Sequence, residues 1–208
     1  NAEELDETAI TLQMQRCAVH GDSLDELILG ETRALFRDTL HGVDQIRDLV
    51  VNLRNFSRLD LERTAEVSLH DCIEQTLSIA HNAIKHRLEI IKRYGEIPPL
   101  RCSPSQINQV LLNLITNAAQ AVAERDGKLL LRTEADTDWV RVHIQDNGRG
   151  IAPEHLPRIF DPFFTTKPVG QGTGLGLSIS HQIVQAHGGQ LKVVSRPGHG
   201  TKFVLCLP

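Results

Sequence analysis

The sequence lacks any long apolar segment. No run of 18 or more apolar residues occurs in its 208 residues, and the first 30 residues do not contain the basic and apolar blocks of a signal peptide. We therefore expect no membrane-spanning helix and no membrane contact within this stretch. The chain opens at Asn1 without a methionine, on residues typical of the inside of a helix. We expect it to be part of a longer protein, whose upstream segments could reach a membrane.

Cysteine is also scarce. The four cysteines lie far apart and form neither a Cys-x-x-Cys pair nor a cluster with histidine at metal-ligand spacing: Cys17, Cys72, Cys102 and Cys206. That spacing excludes a zinc site of this kind. We expect four reduced, small apolar side chains, which indicates a cytoplasmic location.

Basic blocks are absent as well. The formal net charge is -4, and Lys and Arg are scattered along the chain, which disfavours a nucleic-acid partner. Hydrophobic residues make up 40% and charged residues 23% of the sequence, which is ordinary for a globular protein with a buried core. At roughly 100 to 200 residues per domain, the length allows two modest domains. We predict a first domain over 1–62 and a second over 63–208.

The first domain has no proline and only three glycines, a composition that favours long helices. The helical pattern breaks near residues 20–23, so we predict two helices that form a hairpin. Apolar residues at alternating spacings of three and four create a seam that would pack against other helices of a bundle: Val43, Ile46, Val50, Leu53 and Phe56. A purely structural spacer would show the same periodicity.

The second domain alternates strands with helices. We predict strands near 65–69, 88–93, 128–133, 139–145, 191–195 and 202–207, and helices near 70–86, 103–124 and 174–187. Val140, Val142 and Ile144 alternate with polar residues, which is the period of a sheet with one buried face. We expect one sheet with helices laid across one face, an α/β sandwich. The overall class is α+β.

The helix predicted over 103–124 carries a narrow polar stripe opposite its apolar side: Gln106, Gln109, Asn113, Asn117, Gln120 and Glu124. A solvated helix face is the plain interpretation. However, the centre of the stripe is all amide, whereas a solvated face normally carries Lys or Glu. An amide oxygen can bind Mg²⁺ while its NH₂ group donates to phosphate, so the stripe suits a site where a nucleotide supplies the negative charge.

The segment Asp146-Asn-Gly-Arg-Gly150 follows a predicted strand directly. Asp-Asn-Gly alone is a common turn. At the end of a strand, however, a carboxylate can accept from the exocyclic amine of adenine, and the neighbouring glycines let a base lie flat against the backbone. The sequence leaves both the turn and the adenine contact open.

The segment Gly170-Gln-Gly-Thr-Gly-Leu-Gly176 places glycine at every second position just before a predicted helix. Such glycines let backbone N–H groups turn toward phosphate at the positive end of the helix, although a flexible linker would have a similar composition. The register does not fit the dinucleotide fingerprint, and a P-loop motif is absent from the sequence. Between the glycine segments, residues 151–171 hold Phe160, Phe163, Phe164 and Lys167, which is consistent with a loop pinned to the core by its aromatic rings.

These segments in this order, together with Gly198-His-Gly-Thr201 before the last strand, resemble the ATP-binding domain of sensor histidine kinases. Residues 46–58 resemble the second helix of the dimerisation domain of that family, especially in its nitrogen-regulation type. The resemblance implies a homodimer through a four-helix bundle, followed by an ATPase sandwich. It also implies Mg-ATP as ligand, transfer of the γ-phosphoryl group to a histidine, and a response-regulator receiver domain as partner.

The resemblance further implies roles for individual residues. Asp146 would read adenine, Asn117 would hold Mg²⁺, Lys167 would reach the phosphates from a mobile lid, and Thr201 would lie near the base. The full implied ATP-binding set is Asn113, Asn117, Asp146, Gly148, Gly150, Ile151, Lys167, Gly172, Thr173, Gly174, Leu175, Gly176 and Thr201. Gln109 stands where many members carry an acidic residue, which leaves its role open.

A phosphoacceptor histidine does not emerge from the sequence. His20, His41 and His70 do not fit the family pattern, so we expect the acceptor to lie upstream of Asn1 and assign no catalytic residue here. Three alternatives stay open: a nucleotide-binding module without kinase activity, a serine kinase similar to anti-sigma factors, and a mechanical ATPase like gyrase or MutL, which would need a catalytic Glu on the helix that carries Gln109. The second shares the ATP-binding fold but lacks the hairpin.

Overall fold

The computed structural model describes residues 64–85, 87–122, 126–168 and 172–208, together with residues 30, 32, 33, 35, 36, 39, 42 and 43. The chain divides into two units, Asn1–Leu49 and Val50–Pro208. In the first unit the described residues are helical, and Thr39 donates its hydroxyl proton to the Leu35 carbonyl at 2.7 Å. The rest of the predicted hairpin and the predicted boundary at residue 62 lie outside the described residues.

The second unit alternates strands and helices. Its elements are β1 (Ala65–Val67), α1 (Leu69–Ile79), α2 (His81–Ile84), β2 (Leu88–Tyr94), β3 (Leu100–Cys102), α3 (Pro104–Ala121), β4 (Gly127–Ala135), β5 (Val140–Asp146), a 3-10 helix (Leu156–Arg158), α4 (Gly176–Ala186), β6 (Gln190–Arg196) and β7 (Gly200–Leu207).

Among the described residues, five strands form a mixed sheet in the order β2-β4-β5-β7-β6, in which only β2 and β4 run parallel. α3 packs against β4, β5 and β7, α4 packs against β6 and β7, and α1 packs against α3. Alternate strand residues such as Leu131, Ile144 and Leu205 are fully buried beneath these helices. The α/β sandwich predicted from strand alternation is therefore confirmed.

The helices begin where the sequence supplies caps. Ser68 and Ser103 are in extended conformation before α1 and α3, and their hydroxyls accept from backbone N–H groups in the first turn. Pro104 then starts α3 at a position where a missing N–H costs nothing. These caps fix where the long helix begins, and hence which residues reach the end of the sheet.

Three details differ from the predictions. The helix predicted over 70–86 is interrupted at Ala80, which separates α1 from α2. β3 was not predicted, and it pairs with β1 in a separate two-stranded sheet rather than joining the main one. α3 ends at Ala121, three residues before the predicted end at residue 124, and Val122 is already extended.

Cys72, Cys102 and Cys206 are free and buried, while Cys17 lies outside the described residues. Burial raises the pKa of the Cys72 thiol to about 11, so that it stays protonated at neutral pH. In the part of the chain that the structure describes, no helix is both long and apolar enough to cross a bilayer.

Candidate nucleotide-binding site

Asp146 is the last residue of β5 and is only 6% exposed. Its Oδ1 atom accepts from the backbone N–H of Gly148 at 2.8 Å and from that of Thr201 at 3.2 Å. Within the described residues, Oδ2 has no hydrogen-bond partner. Burial raises the pKa of the carboxyl group, and the hydrogen bonds from backbone N–H groups oppose that rise. The carboxyl group is thus fixed through one oxygen, with the other available to a donor.

Thr201 and Ser195 extend this site across the next two strands. Ser195 pairs with Thr201 in the β6–β7 ladder, and their hydroxyl oxygens lie 2.9 Å apart. The Oγ atom of Ser195 also accepts from the backbone N–H of Ile151 at 2.8 Å and donates to the carbonyl of Gly200 at 3.0 Å. A row of polar side chains therefore crosses the ends of β5, β7 and β6.

Glycines allow the backbone to approach this row closely. A Cβ atom on Gly148 would lie 2.5 Å from the carbonyl oxygen of Ala121, and one on Gly200 would lie 2.0 Å from the carbonyl oxygen of Asp146. Gly150 and Gly200 also have positive φ angles of 72° and 89°, a conformation that other residues rarely adopt. The loop after β5 and the turn before β7 can therefore pack together only with glycine at these positions.

A second group of site residues lies along α3. The Nδ2 atom of Asn113 donates to the hydroxyl of Ser180 at 2.8 Å, and Nδ2 of Asn117 donates to Oδ1 of Asn113 at 3.3 Å. Nζ of Lys167 donates to Oδ1 of Asn117 at 3.3 Å and to Oε1 of Gln120. The amides are thus linked to each other, to α4 and to the loop after the 3-10 helix.

The glycine segment lies next to these amides. A Cβ atom on Gly176, the first residue of α4, would lie 2.3 Å from Oδ1 of Asn113, so α3 and α4 meet here in a contact that leaves no room for a methyl group. Gly174 has a φ of 67°, and its Cβ would lie 2.3 Å from the carbonyl carbon of Phe163. The hydroxyl of Thr173 accepts from the N–H of Leu175 at 3.3 Å. A Cβ atom on Gly172 would lie 3.0 Å from Cδ of Lys167 and 3.0 Å from Oγ1 of Thr165.

Two cations stand near each other at this end of α3. Burial lowers the pKa of Lys167 below its ordinary value of 10.5, and the nearby guanidinium of Arg149 lowers it further. Arg149 is itself attached to the end of α3, since its N–H donates to the Ala121 carbonyl at 2.9 Å. Two positive groups that repel each other favour an anion between them.

Aromatic contacts hold the loop that carries Lys167. The ring of Phe160 stacks on His181 of α4 with a centroid distance of 4.7 Å, and Arg158 lies 4.7 Å above the ring of Phe164. Phe163, in contrast, is 70% exposed and has a φ of 67°, which is unusual for a residue with a side chain. Phe160 therefore ties the loop to α4 and Phe164 packs within the loop, while Phe163 is largely exposed.

The structure brings the sequence-predicted residues into two adjoining groups. Asp146, Gly148, Gly150, Ile151 and Thr201 lie at the end of the sheet, and the others lie along α3, the loop carrying Lys167 and the start of α4. Residues 169–171 of the glycine segment lie outside the described residues. Sequence reasoning missed Ser195, Ser180 and a role for Arg149, although Arg149 is the only cation in its glycine-rich motif.

His70, considered above as a phosphoacceptor, is half-buried in the first turn of α1. Its Nε2 atom lies 2.8 Å from the hydroxyl of Thr133, and its ring stacks on Tyr94 with a centroid distance of 4.7 Å. His20 and His41 lie outside the described residues.

Comparison with known proteins agrees with this geometry. Residues 102–208 match the family model described as histidine kinase-, DNA gyrase B- and HSP90-like ATPase. The histidine-protein kinase AtoS of Escherichia coli strain K12 is 39% identical over 81% of this chain and 28% of its own length. The sensory histidine kinase/phosphatase NtrB of Rhizobium meliloti strain 1021 is 33% identical over 88% of this chain and 51% of its own length.

Solved structures of histidine kinases are also similar to this chain. The catalytic domain of the histidine kinase ThkA has a TM-score of 0.63 and 33% identity, over 70% of this chain and 95% of that domain. Full-length ShkA in complex with AMPPNP has a TM-score of 0.72 and 28% identity, over 86% of this chain and 39% of ShkA.

The fold and the arrangement of glycines and amides define a nucleotide-binding ATPase domain of the Bergerat type. The chain belongs to the family of histidine kinase-, DNA gyrase B- and HSP90-like ATPases, on its sensor histidine kinase branch. It spans about a quarter to a half of the length of the curated relatives named above.

Proposed function

We propose that this chain is the catalytic core of a sensor histidine kinase. In this proposal it binds Mg-ATP and transfers the γ-phosphoryl group to a histidine on a dimerisation domain, for relay to an aspartate of a response regulator. The observation that carries the proposal is the carboxyl group of Asp146, buried, anchored through Oδ1 and free at Oδ2 in the described residues, beside a close-packed glycine turn. A buried acceptor of this kind favours a ligand with an exposed N–H donor.

Adenine would occupy the end of the sheet. Its exocyclic amine would donate to Asp146, and Gly148, Gly150, Ile151 and Thr201 would border the base. Support comes from the positive φ angle of Gly150 and from the 2.2 Å that would separate its Cβ from the Arg196 carbonyl oxygen. Together these two features leave backbone rather than side chains facing the base beside Gly150.

The phosphates would lie between the α3 amides and the start of α4. Asn113, Lys167 and the segment Gly172, Thr173, Gly174, Leu175 and Gly176 would contact them, as backbone N–H groups at a helix start favour anions. The residues present fit Mg²⁺, because Oδ1 of Asn117 already accepts from a cation, the Lys167 ammonium. When bound through Asn117 and phosphate oxygens, Mg²⁺ would neutralise charge on the phosphates.

For the transfer itself, this chain would supply position and charge rather than a covalent intermediate. The amides of α3 would hold the phosphate tail in place, and Lys167 and Arg149 would offset its negative charge. The acceptor histidine and its acid–base partner would stand on the dimerisation domain. The domain division 1–62 and 63–208 is part of this proposal.

A homodimer through the first domain is likewise proposed. Leu35, Phe36 and Val43 are helical and are 68%, 66% and 57% exposed. Large apolar side chains exposed on one helix are typical of a surface that another helix covers, and the predicted seam continues from Val43. A second copy of the hairpin would complete a four-helix bundle.

A labelling experiment tests the activity. This chain would be incubated with ATP labelled at the γ-phosphate, Mg²⁺ and a separate helical fragment that carries a phosphoacceptor histidine. We expect acid-labile, alkali-stable label on a histidine of that fragment. Label on serine would support the serine-kinase alternative. Binding of AMPPNP without any transfer would support a module that only binds nucleotide.

A further inference from the structure

We infer that Ser195 is a positioning residue that makes the site selective for adenine by fixing the direction of the Thr201 hydroxyl proton. The inference rests on the proposed function, since it concerns how the same site recognises its base. Ser195 lies on β6, outside the sequence motifs that point to nucleotide binding.

The hydrogen bonds of Ser195 determine the direction of its proton. The Ile151 N–H can only donate, so Oγ of Ser195 accepts from it at 2.8 Å. The Gly200 carbonyl can only accept, so Ser195 donates its single hydroxyl proton there, at 3.0 Å. No proton of Ser195 is then left for the Thr201 hydroxyl, 2.9 Å away. With the Ser195 proton on the Gly200 carbonyl, we assign Thr201 as the donor in that contact.

This direction has a chemical consequence for the pocket. With its proton directed to Ser195, the oxygen of Thr201 offers only lone pairs to a ligand or to a bridging water. Thr201 is 5% exposed, and its N–H already contacts Oδ1 of Asp146 at 3.2 Å. The carboxylate and the hydroxyl beside it are then both acceptors. The amine of adenine, or a water that it contacts, can donate to these two acceptors. The carbonyl of a 6-oxopurine is itself an acceptor, so it would face two acceptors without a donor.

The test compares ADP with inosine diphosphate, which replaces the 6-amine by a carbonyl and leaves the phosphates unchanged. The protein as it exists would be titrated with each nucleotide in the presence of Mg²⁺ by calorimetry. In Ser195→Ala the Thr201 hydroxyl is free to turn and donate to the carbonyl. We expect the dissociation constant of inosine diphosphate divided by that of ADP to fall at least about 5-fold, because the inosine carbonyl gains a donor while the adenine amine loses an oriented acceptor.

Two further variants separate positioning from structure. Ser195→Thr keeps the hydroxyl and should retain the wild-type ratio. In a Thr201→Val background, Ser195→Ala should leave the ratio unchanged, because the hydroxyl that it orients is gone. If Ser195→Ala weakens both nucleotides equally, or if its effect persists in Thr201→Val, the inference is wrong while the proposed function stands. If the wild-type protein binds neither nucleotide, both are wrong.

Discussion

Burial and hydrogen bonding act in opposite directions on the carboxyl group of Asp146. Burial raises its pKa above the ordinary value of 3.8, and the N–H groups of Gly148 and Thr201 limit that rise. Because the pKa is higher in the folded than in the unfolded protein, the ionised carboxylate destabilises the fold. This destabilisation is absent below the unfolded pKa and is complete above the folded pKa. Asp146 is thus held in place at some expense of stability, as is common at binding sites.

From this balance we predict opposite effects of Asp146→Asn on stability and on binding. Asparagine keeps an oxygen that can accept from both N–H groups but removes the buried charge. Without nucleotide, the unfolding free energy of the variant relative to wild type should increase as pH rises from about 4 to about 7. Binding of AMPPNP should weaken by about 1.5 to 3 kcal/mol, because the amide presents a donor to the adenine amine.

Denaturant unfolding at several pH values and calorimetric titration would measure the two effects. Asp138→Asn provides the matched control, since Asp138 is exposed in the β4–β5 turn and should change neither quantity. A relative stability that decreases with rising pH, or an unchanged affinity for AMPPNP, would contradict the role given to Asp146.

A second prediction at the scale of a single residue concerns Lys167. Its ammonium group donates to the Asn117 and Gln120 side chains, so these amide oxygens already face a cation. Replacing Lys167 by Met removes a charge that the phosphates would contact, and we expect AMPPNP with Mg²⁺ to bind at least about 10-fold more weakly. Lys192→Met, on an exposed position of β6, should bind within about 2-fold of wild type. Equal losses in the two variants would show that only net charge matters.

At the scale of elements, the contact between α3 and α4 depends on the absence of a side chain at Gly176. A Cβ there would lie 2.3 Å from Oδ1 and 2.9 Å from Cγ of Asn113, a short side chain that is already hydrogen-bonded to Ser180 and Asn117. We expect Gly176→Ala to lower the unfolding free energy by about 1 to 3 kcal/mol, in the range of overpacked cores. It should also displace Asn113 and weaken nucleotide binding.

Gly172→Ala is the matched comparison for this contact. Its added Cβ would meet the side-chain atoms Lys167 Cδ and Thr165 Oγ1 at 3.0 Å, and flexible side chains can move aside. The loss of stability should therefore be clearly smaller than for Gly176→Ala, as measured by thermal unfolding of both variants. The reverse order would contradict the close packing of the two helices at Asn113.

Elements with a strong local pattern could be predicted from the sequence, and weaker ones could not. The alternation of Val140, Val142 and Ile144 predicts β5, and Ser103 followed by Pro104 fits the start of α3. β3 has only three residues, too few for a period, and its pairing with β1 depends on tertiary packing. The interruption at Ala80 involves neither Gly nor Pro, so nothing local indicates it.

In the candidate site, too, residues with a local sequence pattern could be predicted and residues that depend on tertiary pairing could not. Asp146 and the glycines were found because a turn or a close approach requires particular residue types there. Ser195 was missed because an isolated serine in a strand has no motif, and its importance arises only from the pairing of β6 with β7. The bond between Lys167 and Asn117 joins residues 50 positions apart, a contact that no spacing rule predicts.

At the scale of the whole molecule, our proposal assigns dimerisation to the domain 1–62 and nucleotide binding to the domain 63–208, so each should be separable by mutation. Phe36 is helical and 66% exposed, and Val43, also helical, follows it by seven residues, a spacing typical of one side of a helix. We predict that Phe36→Glu weakens self-association at least about 10-fold, because the interface would bury an unpaired charge. AMPPNP affinity should stay within about 2-fold of wild type, and transfer of label to histidine should fall together with the dimer.

Gly30→Glu introduces the same charge at a helical, exposed position whose spacing corresponds to about 120° from Phe36 and about 140° from Leu35 and Val43 around a helix, and a Cβ there meets nothing within 4 Å. This variant should associate like wild type in sedimentation equilibrium. If both variants weaken the dimer equally, the effect is one of charge rather than of the apolar surface. If neither does, the hairpin does not associate through this side of the helix, and the dimer contact must be sought elsewhere along the predicted seam.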